Sequence, residues 1–168
     1  MEAFTNITGI SPDADPSEIM AMMAANTDAV QYSNQALQAS NRGDYSTAIE
    51  LHQKALKMKV DAFGTESVQA AITYNGLGEN YLKMGHLDAA ESAFEKALRV
   101  RDTLGMGPAN DAAATRDNMG QLYEAKGPEY FEKAREIRLK GAANGQTMCG
   151  NENVGFFIPL NPLPRGPE

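Results

Sequence analysis

The chain has 168 residues, 42% of them hydrophobic, enough for one globular domain with a core of its own. A net charge of −7, with its basic residues scattered, argues against nucleic acid or an anionic membrane as the main partner, because phosphate recognition needs clustered cations. A single cysteine excludes an intramolecular disulfide, no apolar run reaches transmembrane length, and MEAFTNITGISPDADPSE has neither a basic start nor an apolar stretch of signal-peptide length. A cytoplasmic protein is therefore expected, in which Asn6-Ile7-Thr8 is an unused glycosylation sequon.

Asp15-Pro16-Ser17-Glu18 has the form of a helix start, with Asp15 as cap, Pro16 in the first turn and Glu18 three residues after the cap. Ile19, Met22 and Met23 then fall on one face, which predicts a short leading helix in an N-terminal segment over residues 1–25. A first helical hairpin is expected over residues 26–60. Tyr32, Ala36 and Ala39 mark its first helix, Gly43-Asp44-Tyr45 its turn with Asp44 as cap, and Ala48, His52 and Ala55 its second helix. In the connector Phe63-Gly64-Thr65-Glu66-Ser67, Gly64 ends one helix and Thr65 caps the next.

The second hairpin, over residues 66–104, is the most regular. Tyr74-x2-Leu77-Gly78-x2-Tyr81 precedes Ala90-x3-Phe94-x2-Ala97, with Gly85 and His86 between them. A glycine inside a helix costs about 1 kcal/mol relative to alanine, so Gly78 signals a neighbouring helix too close for a side chain, and Ala90 and Ala97 serve the same need. Gly85 follows Gly43 by 42 residues, and Gly120, Tyr123 and Gly127 follow Gly78, Tyr81 and Gly85 by the same interval. That recurrence places a third hairpin over residues 109–141, after the loop Leu104-Gly105-Met106-Gly107-Pro108. Its first helix reads Arg116-x2-Met119-Gly120-x2-Tyr123, with arginine in the place of Tyr74. Matching Phe131 to Phe94 leaves about five residues, more than a turn, missing after Gly127, so a shortened last helix over residues 128–140 is expected.

This pattern resembles the tetratricopeptide repeat, with the longer period of kinesin-light-chain-type repeats, over residues 26–141. The resemblance implies an all-α fold: a right-handed superhelical stack of about three helical hairpins, with an extra N-terminal helix ahead and an extended Gly- and Pro-rich tail over residues 142–168 behind. It also implies a concave groove, lined by the first helix of each hairpin, that binds a peptide or a partner protein. With Tyr74, Leu77, Gly78 and Tyr81 as the buried stripe, Ile72, Asn75, Glu79, Leu82 and Lys83 face that groove. The same registration adds Val30, Ser33, Leu37, Ser40 and Asn41 from the first hairpin and Ala114, Asp117, Gln121 and Glu124 from the third. The groove is mixed polar and slightly acidic. Asn75 is the first choice within it, because a short amide both donates to and accepts from a peptide backbone.

Several other functions are disfavoured. Co-chaperone members of the family grip a C-terminal carboxylate with Lys, Asn and Arg, whereas the matching positions here are Ser33, Leu37, Gly76, Ala114 and Asn118, without fixed positive charge. No catalytic set converges: His52 takes the place of Phe94 and is read as a core residue, and His86 sits in a turn. No cofactor or metal is expected, for want of a phosphate loop or metal-spaced ligands. Lys57, Lys59, Arg99, Arg101, Arg138 and Lys140 are read as complements to the macrodipole at the ends of the second helices. Cys149-Gly150-Asn151-Glu152-Asn153 faintly resembles the opening of the MYND-type finger of some fungal proteins, but no later cysteine completes a zinc site. The tail is apolar, and Pro159, Pro162, Pro164 and Pro167 pre-extend it. Hence the alternative reading: a homo-oligomer in which Phe156 to Leu163 docks on its own or a neighbour's repeats.

Overall fold

A computed structural model of the chain describes residues 14–105 and 110–143. These form six α-helices and one short 3-10 turn: α1 (Pro16–Asn41), α2 (Tyr45–Phe63), α3 (Val68–Lys83), α4 (Leu87–Thr103), α5 (Asn110–Lys126), the turn Pro128–Tyr130 and α6 (Phe131–Ala143). Helices α1 and α2, α3 and α4, and α5 and α6 pair as hairpins, and α2 and α4 each also pack on the first helix of the next hairpin. The result, among the described residues, is an all-α stack of three helical hairpins. Among the described residues no helix is long and apolar enough to cross a membrane.

Helix α1 starts where the sequence indicates, with the Asp15 carboxylate accepting from the Ser17 N–H at 3.0 Å. It does not stop at residue 25. Neither glycine nor proline interrupts the chain between Pro16 and Gly43, and the Thr27 hydroxyl donates back to the Met23 carbonyl at 2.9 Å instead of capping a new helix. The expected leading helix and the first repeat helix are thus one helix of 26 residues. Its early turns cover the far end of α2, leaving a shallow cavity of about 340 Å³ lined by Ala21, Met22, Ala25, Met58, Asp61 and Ala62.

The predicted turns are in place. Gly43 and Gly85 take φ of 80° and 76°, in the left-handed region that glycine enters without strain, and Asp44 accepts from the Thr47 N–H at 3.2 Å. The cap of α3 is Ser67 and not Thr65. The Ser67 hydroxyl accepts from the Ala70 N–H at 3.3 Å while donating to the Gly64 carbonyl at 2.8 Å, so it closes both helix ends at once.

The second hairpin packs as its glycine demands. A Cβ on Gly78 would lie 2.5 Å from Phe94 Cε1, and the ring it would strike is fully buried between Ala90 and Ala97. Burying that phenylalanine contributes about 1.5–3 kcal/mol. In the first hairpin Ala36 stands where Gly78 stands in the second, and its methyl denies the equivalent place to a ring. The His52 imidazole accordingly lies across the next hairpin, over Gly76, where a Cβ would come within 2.8 Å of Cε1.

The third hairpin differs from expectation. The turn Pro128–Tyr130 carries two more residues than its counterpart, so the buried Ala134, and not Phe131, is placed like the buried residue next to the turn of the second hairpin, Ala90. Four residues later Arg138 takes the place of Phe94, its guanidinium lying over Gly120, where a Cβ would sit 2.5 Å from Nε. Phe131 is only half-buried, and α6 runs to Ala143. The last helix is shorter than the second helices of the other hairpins, 13 residues against 19 and 17, as expected, but it starts at Phe131 and ends at Ala143 and does not span 128–140. The core around it joins Leu98, Met119, Leu122 and Tyr123 with Tyr130 and Ile137. Most of the Leu104 to Pro108 loop, the sequon, the Cys149 segment and the apolar tail lie outside the described residues.

Candidate functional site

The first helices α1, α3 and α5 carry the residues expected to line a shared face. On α1, Val30, Leu37 and Asn41 are exposed, Ser33 is half-buried and Ser40 is buried. On α3, Ile72 and Lys83 are exposed, while Asn75, Glu79 and Leu82 are half-buried. On α5, Gln121 is exposed and Ala114, Asp117 and Glu124 are half-buried. Seven residues separate Ile72 from Glu79 and Val30 from Leu37, two helical turns that keep each pair on one side of its helix.

Hydrogen bonds join α3 to α5 along this face. The Asn75 amide nitrogen donates to Glu79 Oε1 at 2.6 Å, and its carbonyl oxygen accepts from the Thr115 hydroxyl at 2.8 Å. The Asn118 amide, reaching from α5, donates to the same Glu79 oxygen at 2.9 Å. Asn75 therefore has both ends of its amide engaged inside the stack.

Asp117 and Glu124 share Arg138, which donates from Nε to Asp117 at 3.1 Å and through both terminal nitrogens to the two Glu124 oxygens. Gln121 adds a bond to Asp117 at 3.0 Å. Leu82 packs against the Phe94 cluster, and the Lys83 ammonium lies 5.6 Å from the centre of the Tyr45 ring.

Three of the cations read as macrodipole complements are not surface groups. Lys59 is 4% exposed; its ammonium donates to the Thr73 hydroxyl at 2.9 Å and the Ser33 hydroxyl at 3.3 Å, and burial pushes its pKa down. Arg101, one period on, is equally buried and donates to the Thr115 hydroxyl at 2.6 Å. Thr115 follows Thr73 by the same 42 residues, so a buried cation tying one hairpin to the next is itself repeated. Arg138 is the third, half-buried over Gly120. The signal for these ties was present in the sequence as the recurring Lys/Arg and Thr, fourteen residues apart each time.

His52 is a core residue. It is 8% exposed with Nδ1 unpartnered, and burial, aided by the charge of Lys59, pushes its pKa down to about 4. On the opposite edge Glu91 gathers α4, α5 and α6, accepting from Tyr123 Oη at 2.8 Å, from Lys126 and from Lys133 at 3.4 Å. Burial alone would push the Glu91 carboxyl up, but these donors hold it below its usual value.

Residues 27–103 match a family model described as the tetratricopeptide repeat. The chain is also similar to the photosystem I assembly protein Ycf3 of Synechococcus sp. (strain CC9311), 25% identical over 147 residues that cover 85% of this chain and 78% of that protein. A Ycf3 of Prochlorococcus marinus is 26% identical over 135 residues, 73% of this chain and 70% of that protein.

Proposed function

We propose, for a chain that carries tetratricopeptide repeats, that it is a non-enzymatic, cytoplasmic interaction module which holds a segment of a partner protein in the groove lined by α1, α3 and α5. The observation that carries this reading is the exposure of Val30, Leu37 and Ile72, at 41%, 57% and 49%, on the stripe where the family binds its ligands. Aliphatic side chains kept half in water on one face gain when a partner covers them, each by about half of the roughly 1.5–3 kcal/mol that burying a fully exposed side chain contributes. The relatives are named as photosystem I assembly proteins, which supports an assembly role in which the module holds a subunit before it meets its neighbours. Enzymatic alternatives are weakened by the position of His52, sealed against Gly76.

The test places a photo-crosslinking amino acid at Leu37 or Ile72, and separately at the exposed Lys57 or Glu95 on the second helices. In native extract the first pair should give discrete crosslinked species that the second pair does not. Labelling confined to the second-helix positions would overturn the reading.

Self-assembly is the second reading, favoured by Leu139, 39% exposed on the last helix, together with the apolar sequence of the tail. Light scattering of the full chain and of a chain ending at Asn153 tests it. A larger mass for the full chain supports tail-driven association, and equal monomeric masses refute it.

A further inference from the structure

We infer that Glu79 anchors a basic side chain of the partner segment, and that this segment carries an aliphatic residue about three positions from that cation. The inference rests on the groove reading above and names the partner's chemistry.

Among the side chains that the structure describes, three carboxylates stand on the face formed by the first helices, and they are not equivalent. Asp117 and Glu124 are ion-paired with Arg138. Glu79 has only neutral donors: both the Asn75 and Asn118 amides bond to Oε1, and among the described residues no Lys, Arg or His nitrogen lies within 4.0 Å of it. Its Oε2 accepts no hydrogen bond from any described residue. One oxygen is fixed from two hairpins, and the other is left to receive a ligand. Because the side chain is already held by amides of α3 and α5, binding a cation costs it little conformational entropy. A neutral acceptor there would still receive both amides, though more weakly, so their pairing calls for an oxygen at that place and not for an ion.

The surroundings set the rest of the ligand. Ile72 lies two turns from Glu79 along α3, about 10 Å at 1.5 Å per residue. A segment in the extended polyproline-II conformation turns once every three residues and advances about 3.1 Å per residue, so when its cation meets Glu79 the side chain three positions away returns to the same face about 9 Å along, at Ile72. Leu37 holds the position in the first hairpin that Glu79 holds in the second, which extends the apolar surface on the α1 side. The ligand class is thus an extended peptide with Arg or Lys spaced from Leu, Ile or Val, and not an acidic peptide or one read through its terminal carboxylate.

A display library of random 12-residue peptides selected on the full chain tests this. Enriched peptides should carry Arg or Lys about three residues from an aliphatic residue. An enriched peptide should bind Glu79→Gln about tenfold more weakly, the scale of one charge-assisted hydrogen bond, at an unchanged melting temperature. The glutamine carbonyl still accepts from Asn75 and Asn118, so this variant removes charge and spares the fold. Ile72→Asp and Leu37→Asp should also weaken the same peptide. Peptides that lose binding to Ile72→Asp yet show no basic preference, or bind Glu79→Gln as tightly as the wild type, would overturn the inference and leave the groove reading standing. No enrichment, or binding untouched by Ile72→Asp and Leu37→Asp, would overturn the groove reading and this inference with it.

Discussion

His52 ties stability to pH, and the sign follows from its burial. An imidazole whose pKa is pushed from the ordinary 6.5 down to about 4 in the fold takes up a proton more readily when the chain is unfolded. Its contribution is therefore complete above pH 6.5 and is lost as the pH falls toward 4. Between pH 7 and pH 4 the loss amounts to about 3 kcal/mol, a large fraction of the stability of a small domain. Other groups titrate in the same window, the Asp44 and Glu91 carboxylates among them, so the measurement must be a difference. His52→Phe installs the residue that the second hairpin carries at this register and removes the titration, leaving the carboxylates in place. Urea unfolding followed by far-UV circular dichroism at pH 7, 6, 5 and 4 should show the variant gaining on the wild type by about 3 kcal/mol across the series, whatever its offset at pH 7. Parallel stability curves would mean that the ring is solvated and protonates at no cost, which refutes its placement over Gly76.

The two glycines beneath the second-helix side chains should respond differently to alanine. Gly78→Ala drives a methyl into the buried Phe94 ring and should cost about 1–3 kcal/mol by thermal melting, whereas at Gly120 the obstacle is the far end of Arg138, which can swing aside, so Gly120→Ala should stay within about 1 kcal/mol of wild type. Lys59→Met removes a buried ammonium whose hydroxyl partners already donate to carbonyls of their own helices, Ser33 to Ala29 and Thr73 to Gln69. It should leave the melting temperature at pH 7 unchanged or raised, and a loss above about 2 kcal/mol would show that the tie to Thr73 outweighs the cost of burying the charge.

The hairpins were legible because their punctuation is local. A glycine that must take positive φ follows from backbone sterics and recurs every 42 residues at Gly43, Gly85 and Gly127, while the aspartate cap after Gly43 and the small residues of the first two hairpins are read from their immediate neighbours. What misled was chemical identity without register. Phe-Glu-Lys-Ala occurs at residues 94–97 and again at residues 131–134, yet its alanine matches Ala97 in the first case and Ala90 in the second. The 3-10 turn after Gly127 shifts the register, and an arginine in place of an aromatic core residue is not a pattern that hydrophobic spacing reveals. Along the first helices, periodicity assigned faces but not partners. Nothing in the spacing of Asn75 and Glu79 shows that both reach toward α5, because that depends on the approach of a helix some forty residues away.

The cross-hairpin ties also bear on how the array comes apart. His52 over Gly76, Lys59 on Thr73 and Arg101 on Thr115 all span a boundary between hairpins and not the inside of one. In a linear array, stability divides into what each unit supplies alone and what each junction supplies, and weight placed at the junctions makes neighbours unfold together. Apolar packing crosses the same boundaries, Ile49 on Leu77 and Leu98 with Met119 and Leu122, so partial unravelling from an end exposes to water apolar surface that no solitary hairpin can bury. The module should accordingly melt as one cooperative unit over its described length, keeping the first helices in fixed relation until the whole stack is lost.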